Sequence, residues 1–283
     1  MFVYNVCDLM NPKYTFLSIL TSDDYLPGLL VLAHSLQKTG TPLPLLVLLT
    51  PNISSETLTT LDSHRIAYKV LDYELINPTN VDKKHRWFST YSKIFAFGQT
   101  EYDKVVYLDA DMLILRNIDE LFNYPHMSAT NSGGMLPRKV SWTHLNSGLM
   151  IIEPSKKIFT DMLNRIGKIE VLEAGGSVER PQYGSDQDFF NKYYPNWPNQ
   201  KELHLDHKYN IFHYHLDEYS KLFGYTIEDG PKPISIIHYA SYLKPWNIKS
   251  DKLDEIAGDL DRCLELKAIQ LWIEQFNSIR DII

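Results

Sequence analysis

Cysteine is scarce in this 283-residue chain, and its scarcity excludes several classes of protein. The two cysteines, Cys7 and Cys263, lie far apart, so they give neither a disulfide framework nor the paired spacing of a zinc knuckle. The sequence also lacks an apolar run of about 20 residues, and its N-terminus lacks the basic region and apolar core of a signal peptide. We therefore expect a cytoplasmic protein that does not enter a membrane.

Basic residues are also fewer than acidic ones. Lys and Arg number 28 against 35 Asp and Glu, which gives a net charge of -7. This balance argues against general binding to nucleic acids or to anionic membranes. An anionic ligand would have to be bound locally, by a few cations or by a metal ion. The hydrophobic share of 44% is ordinary for a globular protein with a sizeable core.

Two acidic residues interrupt an apolar run at residues 105–115. Asp109 and Asp111 stand at its midpoint, and the run predicts a strand that is buried on both faces. Buried carboxylates need a partner, and acids two positions apart point the same way on an extended chain. Together they would form an oxygen-rich face for a hard divalent cation, which could neutralise a diphosphate. The alternative is an acidic turn that only ends the strand and starts the next one, because this motif is common by chance.

The first quarter of the chain alternates between predicted strands and helices. The pattern gives a strand, a helix, a strand, a helix and a strand at residues 14–20, 25–37, 43–49, 52–62 and 66–71. This order predicts an α/β fold with a mostly parallel central sheet covered by helices on both faces. Ligands of such sheets bind at the carboxyl ends of the strands, where residues 21–23 and Asp109 lie.

The rest of the chain supplies further elements. Helices are predicted at 89–97, 155–165 and 185–193, strands at 149–152 and 234–239, a β-rich segment at 203–214, and a loop with Gly175, Gly176 and Pro181 at 170–182. Residues 251–283 predict one long helix or a pair of helices. An apolar stripe predicts that this segment packs on the core through Ile256, Leu260, Leu264, Leu271, Phe276 and Ile279.

Four charged residues outside the apolar run are further candidates. Arg86 and Lys93 flank or lie on the predicted helix before it, and they could contact phosphate or sugar or could be solvated surface charges. Asp186 and Asp188 open the helix at 185–193, where acids often only interact with the helix dipole. The residues alone leave these alternatives open.

Five motifs occur in the order found in a known family. They are Leu20-Thr21-Ser22-Asp23 with Tyr25 and Gly28, Tyr107-Leu108-Asp109-Ala110-Asp111, Asn146-Ser147-Gly148, Ser185-Asp186-Gln187, and His238 with Lys244-Pro245-Trp246. Five ordered motifs across residues 14–247 are far more specific than any one of them. By these motifs the chain resembles the family-eight retaining glycosyltransferases, in particular the glycogenins and the related galactinol synthases.

The resemblance implies a fold, a donor and a metal. The fold is a single Rossmann-like, nucleotide-sugar-binding domain of the GT-A type over residues 1–250, with residues 251–283 as a helical extension packed on it. The donor is a UDP-sugar, with UDP-glucose expected, and the metal is Mn²⁺, with Mg²⁺ as the alternative. The implied metal ligands are Asp109, Asp111 and His238, and carboxylates with one imidazole suit manganese better than magnesium.

The resemblance also assigns roles to other residues. Asp186 would lie beneath the anomeric carbon, either as a nucleophile or only as a positioning group, and it would act in catalysis with Lys93 and Gln187. The implied donor contacts, besides the metal ligands, are Ile19, Thr21 and Tyr25 at the uracil, Arg86 and Lys93, Ala110 and Ser147, Asn146 and Gln187 at the sugar hydroxyls, Asp186, and Ser241 and Lys244 near the diphosphate. Departures from the glycogenin pattern occur at Ser22, Tyr183 and Ser241, and they bear on the sugar and the acceptor rather than on the metal.

The acceptor is left open between the chain's own tyrosine and a separate molecule. Tyr214 precedes the pair Phe223-Gly224 by nine residues, which is the spacing of the glucosylated tyrosine in glycogenin, and Tyr219 is the second choice. A homodimer could present such a tyrosine to the partner's site. The alternatives are a galactinol-synthase-like or glycan-extending transferase with a separate carbohydrate acceptor, and a sugar-nucleotide-binding protein without activity.

Overall fold

The computed structural model describes residues 13–71, 89–139, 141–166 and 185–280. Within these residues the strands are β1 (Tyr14–Leu20), β2 (Leu45–Leu49), β3 (Ala67–Val70), β4 (Lys104–Leu108), β5 (Met112–Ile114), β6 (Leu149–Ile152), β7 (Ile211–Phe212) and β8 (Ile236–His238). They form a five-stranded sheet in the order β3-β2-β1-β4-β6 and a three-stranded sheet in the order β5-β8-β7. Neighbours in the larger sheet are parallel except β4 and β6. The predicted α/β architecture with a mostly parallel sheet is confirmed.

Helices cover both faces of the larger sheet. They are α1 (Leu26–Lys38), α2 (Ser55–Ser63), α3 (Lys156–Arg165), α4 (Asp186–Tyr193), α5 (Leu216–Phe223), α6 (Ser250–Ala257) and α7 (Cys263–Arg280). Alternate residues of β1 point to opposite sides. Phe16 and Leu20 share a buried cluster with α1 and α2, whereas Leu17 shares one with α3 and α4. A strand buried on both faces explains the uninterrupted apolar runs of the sequence.

The sequence predicted one strand across the apolar run that carries the two acids, but the run forms two separate strands. β4 ends just before the acids in the larger sheet, and β5 begins just after them in the smaller sheet. The Asp109 N–H donates to the Gly148 carbonyl at 2.9 Å, and the Asp111 carbonyl accepts from the Tyr239 N–H at 2.9 Å. The chain changes sheets here because carboxylates cannot continue a ladder that is buried on both faces. The acids therefore lie in a turn between the two sheets.

The segment 203–214 also differs from its prediction as β-rich. It forms short 3-10 turns and supplies only the two residues of β7 to a sheet. The Asp206 carboxylate accepts from the backbone N–H of Lys208 and caps one of these turns. Such local side-chain hydrogen bonds compete with strand formation, which the β-favouring composition of the segment does not reveal.

The C-terminal segment is a helix pair, which is one of the two forms expected. Trp272 of α7 is buried in a cluster that also contains Leu30 and Val31 of α1. The predicted stripe is wrong at Leu260, which is 88% exposed because it starts the 3-10 turn between α6 and α7. Among the described residues, none of the helices has the length and apolarity needed to cross a membrane.

Candidate active site

A cleft of about 710 Å³ opens at the junction of the two sheets, beside the carboxyl ends of β4 and β8. The residues predicted from the sequence that line it are Tyr25, Lys93, Asp109, Asp111, Asn146, Ser147, Asp186, Gln187, His238, Ser241 and Lys244. It is also lined by residues to which no role was assigned, namely Asp24, Gly148, Ser185, Phe212, Ala240, Tyr242, Trp246 and Asn247. The cleft thus brings together motifs that are spread over most of the chain.

The two acids and one histidine form the centre of the cleft. The register of β5 and β8 pairs Met112 with His238, which brings the histidine beside the acidic turn. His238 Nε2 lies 3.1 Å from Asp111 Oδ1 and 3.8 Å from Asp109 Oδ2. One ligand atom from each of the three residues lies within 4.8 Å of the others. Two carboxylates and an imidazole at this spacing fit a divalent cation such as Mn²⁺.

Lys244 neutralises one side of this centre. Its Nζ lies 2.5 Å from Asp111 Oδ2, donates to the Tyr239 carbonyl at 2.8 Å, and lies 5.4 Å from the centre of the Tyr25 ring. Burial alone would raise the pKa of Asp111, but His238 and Lys244 hold it below its usual value. Asp111 is therefore charged at neutral pH.

Lys93 bridges the other side of the centre. Its Nζ lies 2.9 Å from Asp109 Oδ1 and 2.9 Å from Asp186 Oδ2. Burial alone would lower the pKa of Lys93, but the two carboxylates raise it above its usual value. The pKa of Asp109 is raised because burial outweighs the attraction of Lys93, and the Tyr107 hydroxyl donates to Asp109 at 2.7 Å. The two acids of the pair thus stand in different environments.

The wall formed by residues 146–148 and 185–187 is held by backbone donors and one hydroxyl. The Ser147 hydroxyl donates to Asp186 Oδ2 at 2.7 Å, and the Ser147 N–H donates to Gln187 Oε1 at 3.3 Å. The Gly148 N–H donates to Asn146 Oδ1 at 2.9 Å. Because both amide oxygens face backbone donors, Gln187 and Asn146 turn their NH₂ groups away from them. Ser185 caps α4, which places Asp186 and Gln187 in the first turn of that helix.

Gly28, a member of the first motif, packs against the acidic turn. A Cβ at this position would meet the Ala110 carbonyl oxygen at 2.7 Å and the Trp246 ring at 2.8 Å. Ala110 itself is 7% exposed and is not among the residues that line the cleft. The absence of a side chain at Gly28 therefore lets α1 and Trp246 approach the acidic turn.

Not all of the predicted donor contacts are among the described residues that line the cleft. Ile19 is buried in the core beneath the sheet, and neither Ile19 nor Thr21 is among the described residues that line the cleft. Arg86 and the predicted loop at 170–182 lie outside the described residues. Ser241 lines the cleft, but its hydroxyl donates to the Leu243 carbonyl at 2.6 Å.

The two acceptor candidates differ in exposure. Tyr219 is 4% exposed, and its hydroxyl accepts from the Met135 N–H at 3.0 Å. Tyr214 is 37% exposed, and its ring lies 5.6 Å from that of Phe212, which lines the cleft. Burial raises the pKa of Tyr214, so its hydroxyl is protonated at neutral pH. Exposure favours Tyr214 over Tyr219 as an acceptor.

Residues 16–250 match the family model described as glycosyl transferase family 8. The chain is 32% identical over 241 residues to the glycogenin of Neurospora crassa, which covers 82% of this chain and 31% of that protein. It is 29% identical over 257 residues to the putative UDP-glucuronate:xylan alpha-glucuronosyltransferase 3 of Arabidopsis thaliana, covering 87% of this chain and 38% of that protein. The chain therefore spans well under half the length of either relative.

A solved structure of the galactosyltransferase LgtC, in complex with donor and acceptor sugar analogues, has the same fold. Its TM-score to this chain is 0.59 at 17% identity, and the match covers 93% of this chain and 95% of LgtC. At this identity the similarity concerns the fold alone. It agrees with the GT-A architecture that the sequence motifs implied.

Proposed function

The chain belongs to glycosyltransferase family 8, and from that premise we propose that it is a metal-dependent retaining enzyme that transfers glucose from UDP-glucose. The observation that carries the proposal is the charge arrangement in the cleft. Three carboxylates, Asp109, Asp111 and Asp186, face two ammonium groups, those of Lys93 and Lys244. The cluster has one negative charge in excess, so it binds a divalent cation, and with that cation it attracts a diphosphate.

Asp109, Asp111 and His238 would hold Mn²⁺, with Mg²⁺ as the weaker alternative. A bound divalent cation there supplies charge stabilisation for the departing UDP. Lys244 is close enough to the acidic turn to bind the same diphosphate. Interactions with charge that develops as the glycosidic bond breaks are stronger in the transition state than in the ground state, so they lower the barrier.

Asp186 is held in one orientation for its part in catalysis. Lys93 and the Ser147 hydroxyl both bind its Oδ2, so the carboxylate is fixed at the edge of the cleft. Gln187 and Asn146 offer NH₂ groups to the sugar hydroxyls. Asp186, Lys93 and Gln187 thus position the donor sugar, and the departing phosphate oxygen takes the proton of the acceptor hydroxyl.

Glucose is favoured over glucuronate as the donor sugar because the lysines of the cleft are already paired with carboxylates. In the described part of the chain, the lysines that line the cleft are Lys93 and Lys244, and each already contacts a carboxylate. A uronic acid would bring one more negative charge to this cluster. Comparison of UDP release from UDP-glucose, UDP-galactose and UDP-glucuronate in Mn²⁺ tests the assignment, and a preference for UDP-glucuronate would contradict it.

We assign Tyr214 as the acceptor, so that the chain glucosylates itself in the manner of a glycogenin, with a homodimer able to present the tyrosine to the partner's cleft. Its exposure and its contact with Phe212 support this assignment. Peptide mapping after incubation with UDP-glucose and Mn²⁺ tests it. Hexose on Tyr214, absent in Tyr214→Phe, is the expected result. An unmodified chain that still releases UDP indicates a separate carbohydrate acceptor, as in a galactinol synthase or a glycan-extending enzyme.

The remaining parts of the proposal concern organisation and setting. Residues 1–250 would form the catalytic domain, with residues 251–283 as a helical extension, and the packing of Trp272 against α1 supports an extension that packs on that domain. We place the enzyme in the cytoplasm, with a UDP-sugar and a carbohydrate or tyrosine acceptor as its partners and no role for nucleic acid or membrane.

A further inference from the structure

Asn210 belongs to none of the five motifs, yet it connects the metal-site histidine to the sugar-facing wall. Its side chain is 7% exposed. Its Oδ1 lies 2.8 Å from His238 Nδ1, and its Nδ2 lies 2.9 Å from Asn146 Oδ1 and 3.2 Å from Thr130 Oγ1. The amide is thus hydrogen-bonded at both ends, with partners from three different segments of the chain.

The backbone N–H of Gly148 fixes the direction of the hydrogen bonds that run from Asn146 through Asn210 to His238. The Gly148 N–H can only donate, and it lies 2.9 Å from Asn146 Oδ1. Because that oxygen can only accept, Asn210 must turn its Nδ2 towards Asn146 and its Oδ1 towards His238. The opposite orientation of either amide would bring two acceptors or two donors together.

The tautomer of the histidine follows from this orientation. Asn210 Oδ1 is an acceptor, so His238 carries a proton on Nδ1. In the neutral ring the lone pair is then on Nε2, the atom that faces Asp109 and Asp111. A histidine that binds a metal through one ring nitrogen commonly donates from the other to a fixed acceptor, which orients the ring.

We propose that Asn210 is a positioning residue that sets the tautomer of His238 for metal binding and, with its other end, fixes Asn146 for the donor sugar. This inference rests on the proposed function. The Oδ1 atom serves the metal ligand, and the Nδ2 atom serves the sugar contact. Since Asn146 Oδ1 already accepts from Gly148 and Asn210, Asn146 has only its own NH₂ group to offer the substrate.

Two substitutions separate the two ends of the amide. Asn210→Leu keeps the size of the side chain and removes both hydrogen bonds, so the affinity for Mn²⁺ is expected to fall by about 10- to 100-fold. Asn210→Asp keeps an acceptor for His238 but places an oxygen against Asn146 Oδ1. This variant should bind Mn²⁺ at least as well as the wild type, while its affinity for UDP-glucose relative to UDP falls by about 10-fold. Calorimetric titration measures the affinities for Mn²⁺, UDP-glucose and UDP.

The matched control is Thr130→Val, which removes the weaker contact of Asn210 and leaves the bonds to His238 and Asn146 in place. Its affinity for Mn²⁺ should stay within about twofold of the wild-type value, because the bond that orients the metal ligand is unchanged. Thermal unfolding of each variant shows whether the fold is kept. If Asn210→Leu does not fold, the comparison of Asn210→Asp with the wild type decides.

Nitrogen-15 NMR of the histidine rings in the Mg²⁺-bound protein tests the tautomer directly, with His238→Gln to identify the signals. The expected result is a proton on Nδ1 of His238. A proton on Nε2, or unchanged affinity for Mn²⁺ in Asn210→Leu, would overturn the proposal. If the wild type binds metal with the expected tautomer but no UDP-sugar, the proposed function fails, and with it the sugar half of the proposal, while the metal half stands.

Discussion

A Cβ added to Gly148 would meet Cε1 of His238 at 2.6 Å. No side chain fits in that space, so glycine allows the histidine ring to lie against the wall of the cleft. Gly148→Ala is expected to displace the ring and to lower the affinity for Mn²⁺ by at least about 10-fold, because metal affinity depends on the orientation of each ligand. Electron paramagnetic resonance of free Mn²⁺ during a titration measures the change.

Gly258→Ala is the matched control for this substitution. A Cβ at Gly258 would have its nearest neighbour at 3.4 Å, which is an ordinary contact. This variant should bind Mn²⁺ as the wild type does. Equal affinity in Gly148→Ala would show that the close approach of Gly148 to His238 does not matter for the metal.

Asp109 and Asp111 should contribute differently to the stability of the metal-free protein. Burial raises the pKa of Asp109, whereas the pKa of Asp111 is lowered because His238 and Lys244 outweigh burial. A lowered pKa means that the charged form stabilises the fold, and that this contribution is lost as the pH falls below the unfolded value near 4. At pH 7, Asp111→Asn should lower the free energy of unfolding by about 3 kcal/mol, and Asp109→Asn by much less.

Urea denaturation in EDTA at pH 7 measures this difference. The exposed Asp251 offers a control, since Asp251→Asn should leave the free energy of unfolding within about 0.5 kcal/mol of the wild-type value. An equal loss of stability in Asp109→Asn and Asp111→Asn would show that the two acids do not stand in different environments.

Lys93 should matter for turnover. Lys93→Met removes the ammonium group that lies between Asp109 and Asp186, and it leaves two buried carboxylates without this partner. We expect the rate of UDP release to fall by about 100-fold, since a misplaced Asp186 no longer fits the transition state. Lys69→Met is the control, because Lys69 forms an exposed pair with Glu101 that contributes little. Similar rates in the two variants would exclude a catalytic part for Lys93.

Two histidines should make the fold sensitive to acid. Burial lowers the pKa of His213 and that of His215 to about 4, whereas an unfolded histidine titrates near pH 6.5. As the pH falls from about 6.5 to about 4, the unfolded chain binds these protons first. The free energy of unfolding therefore decreases with falling pH, by up to about 1.4 kcal/mol per pH unit for each histidine.

His213→Phe tests this dependence. A phenyl ring can keep the stacking of His213 on Tyr239, whose ring centres lie 5.1 Å apart, but it cannot take up a proton. Urea denaturation at several pH values gives the free energy of unfolding as a function of pH. In His213→Phe the slope of this dependence should correspond to the uptake of one proton fewer than in the wild type. Asn123→Gln, at an exposed position, changes no group that titrates and should leave this pH dependence unchanged. A wild-type slope in His213→Phe would contradict a neutral, buried His213.

The local pattern of apolar and polar residues predicted much of the fold. The bounds of β1 and β6 agree with the prediction to the residue, because buried apolar runs bounded by polar turns carry a strong signal. The pattern could not show that the chain changes sheets between Asp109 and Asp111, since strand pairing depends on partners far away in the sequence. It also could not show that the last helix breaks before Cys263 and leaves Leu260 exposed.

The candidate site was predictable where motifs mark it. Asp109, Asp111 and His238 stand in motifs, and the fold brings them together. Asn210 is different, because its partners His238 and Asn146 lie 28 and 64 residues away and no spacing rule connects them. A buried amide whose role is to orient other side chains becomes visible only when the hydrogen bonds are known.

Metal-dependent turnover of a UDP-sugar tests the proposed function most directly. UDP release from UDP-glucose can be followed in the wild type with Mn²⁺, in the wild type with EDTA, and in Asp109→Asn and Asp111→Asn with Mn²⁺. We expect release only with the metal, and a loss of at least about 100-fold in both folded variants. Release at the wild-type rate in EDTA, or in either variant, would contradict a metal site at Asp109, Asp111 and His238.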